Sequence, residues 1–284
     1  MSVPSFRKLL LASECTEFDT GAERVALAMA SAQAVPLSVV FPLLSNPEYE
    51  AVAPQAAARA EREVARALSK LHALAAAAGV TLDVNVRRGS EPDQEIIDEA
   101  RRSNAELLIL RRRGKHGFLS RLLIGEMVGR VLDFAPCHVL VVPRLCKPWQ
   151  RGVMVVAQSS DIASAVALAA AGAAMARDAR LSLSLLVVSS GDENVAHTLD
   201  EVVAASSGTA IRAEAVSDER AMESVGTAMS AGVDLLVVKY GTPGTPAGEL
   251  MRRTIGACDV PVLAVRGLPS QAAQPSATAS RPHE

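Results

Sequence analysis

Residues 105–144 read AELLILRRRGKHGFLSRLLIGEMVGRVLDFAPCHVLVVPR. The stretch opens on a short apolar run, 107–110, passes through a basic loop containing glycine, and continues into an amphipathic segment that stops at Pro136. A second apolar run, 139–142, closes it. Two buried strands separated by a loop and a helix form a βαβ crossover, and such units build parallel sheets that receive ligands at the carboxyl ends of their strands. The basic loop falls at that end.

The same organisation returns at residues 234–265, DLLVVKYGTPGTPAGELMRRTIGACDVPVLAV. Gly125-Glu126 and Gly248-Glu249 occupy matching places, and from each pair the chain runs equally far to its last apolar run, so that Val139 matches Val262. The chain is therefore two copies of one α/β unit. The fold class this predicts is α/β, with two tandem Rossmann-like units, each a five-stranded, mostly parallel sheet flanked by helices.

Working outward, residues 8–12 read as a strand, 13–16 as a polar turn and 20–34 as a helix capped by Asp19 or Thr20. A second strand, 37–43, is expected to end at Pro42. After a loop at 45–55, residues 56–78 repeat apolar positions on one helical face (Ala57, Ala60, Val64, Leu68, Leu71, Ala75), with Gly79 as the stop. Residues 80–86 alternate as a third strand. Ser90 is the expected cap of a helix that carries Pro92 in its first turn and Ile96, Ile97 and Ala100 inside.

Residues 146–151 look like a linker. The second copy then gives strands at 153–156, 183–188, 210–216 and 235–238, with helices at 161–179, 193–206 and 218–231. The expected units are 1–146 and 151–267. Residues 268–284, rich in Pro, Ser, Ala and Gln, are expected to be a disordered tail.

A chain of 284 residues is long enough for about two domains, each with its own core. Aromatic residues are only 3%, so Ala, Val and Leu must fill that core and few rings remain for stacking bases. A net charge of −2 gives no global attraction to nucleic acid or acidic membrane. No apolar run approaches the roughly 20 residues of a membrane span, and the N-terminus lacks a signal-peptide pattern, so a cytoplasmic location is expected. Four cysteines without C-x-x-C spacing indicate neither a zinc site nor a disulfide framework.

An apolar strand ending at Ala12-Ser13-Glu14, a G-x-H-G loop at 114–117, then LLIGE at 122–126 and APCHVLVV at 135–142 resemble the universal stress protein family. The resemblance is clear over residues 1–144 and fainter over 151–266. It implies an adenine-nucleotide-binding-like fold whose members pair through the last strand. Some members bind ATP or related nucleotides through an acid after the first strand and a G-x2-G-x9-G-S/T loop, whose amides hold phosphate at a helix start.

Carried over to this chain, that resemblance puts a nucleotide or anion pocket at Ala12, Glu14, Val40, Arg113, Gly114, Lys115, Gly117, Gly125 and Glu126. Glu14 stands for the acid, and Glu126 stands where a hydroxyl would donate to phosphate. A carboxylate there repels phosphate and donates nothing, so Glu126 is better placed to stabilise its own helix. The cofactor expectation is none required, with ATP or AMP as the candidates. The second copy has no acid at Ala157-Gln158-Ser159, and Pro243 and Pro246 remove amide donors from its loop, so this half is expected to be structural.

Arg111, Arg112, Arg113, Lys115 and His116 form the densest basic cluster, read either as an anion site or as a solvated loop. The lack of aromatic neighbours speaks against nucleic acid. Cys15 ends the first strand and is expected to be a packed small residue rather than a redox thiol. His138, at the start of a strand, is expected to be structural.

The function expected is a non-catalytic stress-response or regulatory protein, with any nucleotide site weak and confined to the first unit. The alternatives are a slow ATP or AMP nucleotidase and an interaction scaffold. Expected partners are the other half of the same chain, through pairing of the strands at 139–142 and 262–265, then a second copy as a homodimer, or another protein. No catalytic residues, metal ligands or membrane contact are expected.

Overall fold

The computed structural model describes residues 6–45, 54–112, 125–189, 191 and 195–267. Ten strands form one sheet: β1 (Leu9–Ala12), β2 (Leu37–Leu44), β3 (Leu82–Gly89), β4 (Leu107–Arg111), β5 (His138–Val142), β6 (Gly152–Gln158), β7 (Ser182–Ser189), β8 (Ala210–Ser217), β9 (Leu235–Lys239) and β10 (Val262–Val265). Their order is β3-β2-β1-β4-β5-β10-β9-β6-β7-β8, so one half repeats the strand order of the other from the centre outward. Every neighbour pair is parallel except β5 with β10. That antiparallel seam is centred on Leu140 opposite Leu263, which makes Val139 and Val262 equivalent about a local two-fold axis.

Strand alternation sends successive side chains to opposite faces. On one face Leu9, Leu11, Leu107, Ile109, Val153, Val155, Leu235 and Val237 share a core with α1 (Thr20–Gln33), α2 (Pro54–Ala77), α5 (Ile162–Ala179) and α6 (Val195–Ala205). On the other, Leu10, Leu108, Leu110, Met154, Val156, Leu236 and Val238 meet α3 (Pro92–Arg102), α4 (Glu126–Phe134), α7 (Ala221–Ser230) and α8 (Pro246–Ala257). Helix α5 alone among the described helices has the length and apolar composition of a membrane span. It lies on the sheet with Leu168, Ala169, Ala173 and Ala176 fully buried, as a core helix does.

Several local expectations are corrected. Pro42 does not end β2, which continues to Leu44. Strand β1 stops at Ala12 opposite Val40, so beyond that point β2 has β3 as its only neighbour among the described strands, and a residue without an amide hydrogen is tolerated. Helix α2 starts at Pro54, where proline suits a first turn. Of its expected apolar face, Leu71 and Ala75 are buried, whereas Val64 and Leu68 are half-buried. The residue that caps α3 is Glu91 rather than Ser90, because Pro92 holds its predecessor extended. The segment expected to be a linker buries Trp149, and the Asp234 carboxylate holds its end by accepting from the amides of Gln150, Arg151 and Gly152.

Candidate functional site

Each half presents the carboxyl ends of its strands to a cleft, and the clefts differ. In the first half β4 ends on Arg111, whose alternation turns it towards the face carrying α1. Its Nη1 donates to Asp19 Oδ2 at 2.8 Å and to Thr16 Oγ1 at 2.9 Å, and its Nη2 donates to Glu14 at 2.8 Å. Thr16 donates its amide (2.9 Å) and hydroxyl (2.6 Å) to the same Asp19 oxygen. The Arg111 side chain is 4% exposed and Asp19 1%. The described residues around this network, Ala12, Glu14, Pro42, Ile96 and Met127 among them, leave a cavity of about 10 Å³.

A buried ion pair of this kind contributes little net stability, because desolvation offsets its Coulomb gain. The seven fully buried aliphatic side chains of β1 and β4 contribute on the order of 10–20 kcal/mol. The core therefore holds the network in place rather than the reverse.

The equivalent pair in the second half joins Lys239, the last residue of β9, to Asp161, the N-cap of α5, at 2.6 Å. Burial alone would push the Asp161 carboxyl up. The Lys239 bond and the bonds from Ser164 outweigh it and hold the group below the ordinary value. This pair is half-buried, with Lys239 26% and Asp161 20% exposed. Beside it lies a cavity of about 330 Å³, walled by Val156, Ala165, Leu168, Val238, Leu250 and Met251 and edged by Gln158, Ser160, Thr242 and Thr245. Apolar pockets of this size with a few convergent polar groups suit small molecules.

The loop over this cavity folds onto the start of α8. Thr245 caps the helix, its Oγ1 accepting from the Gly248 amide at 3.1 Å and donating to the Thr242 carbonyl at 2.7 Å. Glycine is required at 248, since a Cβ there would overlap the Thr242 carbonyl. Pro246 has no amide hydrogen, and the Glu249 amide is used by the Thr245 carbonyl. The helix start is thus largely satisfied from within, unlike an amide cradle for phosphate.

Of the residues expected in the nucleotide or anion pocket, Ala12 and Glu14 sit together beside Arg111 and Asp19. Val40 is fully buried beside Ala12 in the strand register. Gly125 caps α4, and Glu126 is exposed in its first turn, where its charge suits the helix dipole. Arg113, Gly114, Lys115 and Gly117, with His116, lie outside the described residues. Arg111 and Arg112 form neither a solvated loop nor a free anion site. Because they alternate across the sheet, Arg111 is buried as above and Arg112 turns to the other face.

There Arg112 donates to the carbonyls of Ile255 (3.0 Å), Gly256 (3.3 Å) and Cys258, and pairs with Asp259 at 2.9 Å. Its equivalent, Tyr240, crosses the seam the other way and donates to the Asp133 carbonyl at 2.9 Å. His138 is structural in the same sense, its Nδ1 accepting from the Arg266 amide at 3.0 Å. The Cys15 thiol is pushed up to about 12, by burial first and then by the charge of Glu23, which suppresses the reactive thiolate.

Sequence reasoning missed Lys239, Asp161 and the cavity beside them. The available signal was the matched end of the fourth strand in each copy, arginine at 111 and lysine at 239.

A sequence profile described as Universal stress protein family matches residues 5–143. A curated universal stress protein of Methanocaldococcus jannaschii is 34% identical over 84 residues, 30% of this chain, and the match spans 48% of that protein's length. Among solved structures, a universal stress protein from Archaeoglobus fulgidus superposes with a TM-score of 0.68 at 16% identity, covering 94% of this chain and 98% of that one. A structure titled as a putative universal stress protein from Pseudomonas aeruginosa gives 0.63 at 18%, covering 92% and 93%. At such identities these structures establish the fold. Residues 5–143, just under half of the chain, match the universal stress protein family.

Proposed function

We propose that this protein is a non-catalytic regulatory module of the stress response, built of units 1–146 and 151–267, whose small-molecule site is the cavity of the second half. ATP or AMP recognition at the first half, through Glu14, Gly114, Gly117 and Gly125, is weak or absent on this reading. The observation that carries it is the contrast between two equivalent ion pairs among the described residues: Arg111 is buried, and Lys239 borders a cavity of about 330 Å³. Glu126, standing where a donor to phosphate is needed, supports the same reading.

Calorimetric titration with ATP, ADP and AMP tests the first part. Little or no heat is expected from the natural protein, and more from Glu126→Ser. Micromolar binding with turnover by the natural protein would replace this reading with a nucleotidase. The second part is tested by a fragment screen using ligand-observed NMR on the natural protein and on Ala165→Met, which fills the cavity. Hits should vanish in the variant; hits indifferent to it would place the site elsewhere.

A further inference from the structure

The second-half cavity does not end at its own mouth. It shares Gln158 and Pro246 with an adjoining open cleft of about 480 Å³ at the carboxyl ends of β6, β7 and β8. Among the described residues that outer cleft carries Asp218, Glu219 and Glu249 against one cation, Arg253. Arg253 is itself paired with Asp218, its Nη1 donating to Oδ2 at 2.8 Å. Two carboxylates, those of Glu219 and Glu249, thus exceed the positive charge on the wall. At the inner boundary Lys239 is neutralised by Asp161.

The nearby helix start supplies little compensation. Thr245 accepts from the amides of Gly248 and Glu249, Pro246 has none, and Glu249 sits in the first turn of α8. An anion entering this cleft meets uncompensated negative charge and few donors, whereas a cation meets the reverse.

From this arrangement we infer that the second-half site takes an organic amine: an apolar body seated among Leu168, Val238, Leu250 and Met251, with its ammonium group directed outward to Glu219 and Glu249. The inference rests on the reading of the cavity as a small-molecule site and adds the sign of the ligand's charge. Apolar walls supply affinity in proportion to the area they cover, and the two carboxylates supply discrimination.

Three probes with one indole body separate the two ideas: tryptamine, which is cationic, tryptophol, which is neutral, and indole-3-acetate, which is anionic. Binding would be measured by calorimetry at low ionic strength on the natural protein, on the double variant Glu219→Gln/Glu249→Gln, and on Ala165→Met as the cavity-blocked control. Tryptamine should bind about fivefold more tightly than tryptophol, and indole-3-acetate most weakly. The preference should fall to within about twofold in the double variant and at high salt, since exposed charges are screened. Equal affinity for all three probes, all blocked by Ala165→Met, would overturn the amine assignment and leave the cavity reading intact. Tighter binding of indole-3-acetate would overturn it too. Failure of every probe to bind, or binding that Ala165→Met leaves unchanged, would overturn both.

Discussion

The first and second halves finish the same strand with different cations, a buried arginine in one and a half-exposed lysine beside an open cavity in the other. Arg111 and Lys239 each reach the aspartate at the N-cap position of the helix following the first strand of their half, Asp19 and Asp161. Arginine, with a planar fork, also engages Glu14 and Thr16 and is drawn inside. Lysine, with one compact charge, makes the single pair and stays half in solvent. The turn before the helix follows suit: seven residues, 13–19, surround Arg111, and three, 159–161, leave room beside Lys239.

The largest test of this contrast is removal of each cation. Arg111→Met strands Asp19 as a buried, unpaired carboxylate and should lower unfolding free energy by about 3–5 kcal/mol. Lys239→Met leaves Asp161 bonded to Ser164 and partly hydrated, so the loss should be about 1 kcal/mol or less. Urea denaturation reads both, and equal losses would erase the distinction.

The seam offers a second comparison of intermediate size. Arg112→Met removes a guanidinium from three carbonyls at the end of α8, a loss of about 2 kcal/mol. Tyr240→Phe removes one hydroxyl from the Asp133 carbonyl and should cost about 1 kcal/mol. A reversed order would mean that the second half grips the first more firmly than the contacts indicate.

The smallest effect is one of pH. Glu23 is buried, with the Ser13 hydroxyl donating to it at 2.8 Å, and burial raises its carboxyl above the ordinary value of 4.5. Its protonated form is favoured by folding, so that contribution is fully present below 4.5 and is lost as pH rises through the raised folded value. Asp161 is held below its ordinary 3.8, so its contribution is present above 3.8 and is lost as pH falls through the folded value. Glu23→Gln should therefore raise the thermal midpoint at pH 7 with little effect at pH 4, and Asp161→Asn should lower it at pH 7 with little effect at pH 2. Identical pH profiles for the two variants would contradict the opposed shifts.

The strands of both halves were legible because four-residue apolar runs between polar turns leave little alternative, and the matched Gly-Glu pairs set the repeat. Even the seam could be read, from two apolar final strands that each needed a neighbour. The fates of Arg111 and Arg112 were not. A run of three arginines looks like a solvated loop until strand alternation is followed to its last residue, and the carboxylates that claim Arg111 lie more than 90 positions away. The cavity was hidden for a related reason. Pro243 and Pro246 bear on an amide cradle for phosphate, but an apolar pocket needs no such cradle. It needs only a shorter turn and a smaller cation.

Arg111 is joined by one peptide bond to Arg112, and Lys239 by one to Tyr240, so in each half the residue bounding a cleft is covalently adjacent to the residue holding the opposite half. Alternation along the strand places the two side chains on its two faces. In the second half that pairing sets a side chain at the cavity, Lys239 on Asp161, next to one that ties the two halves together, Tyr240 on the Asp133 carbonyl.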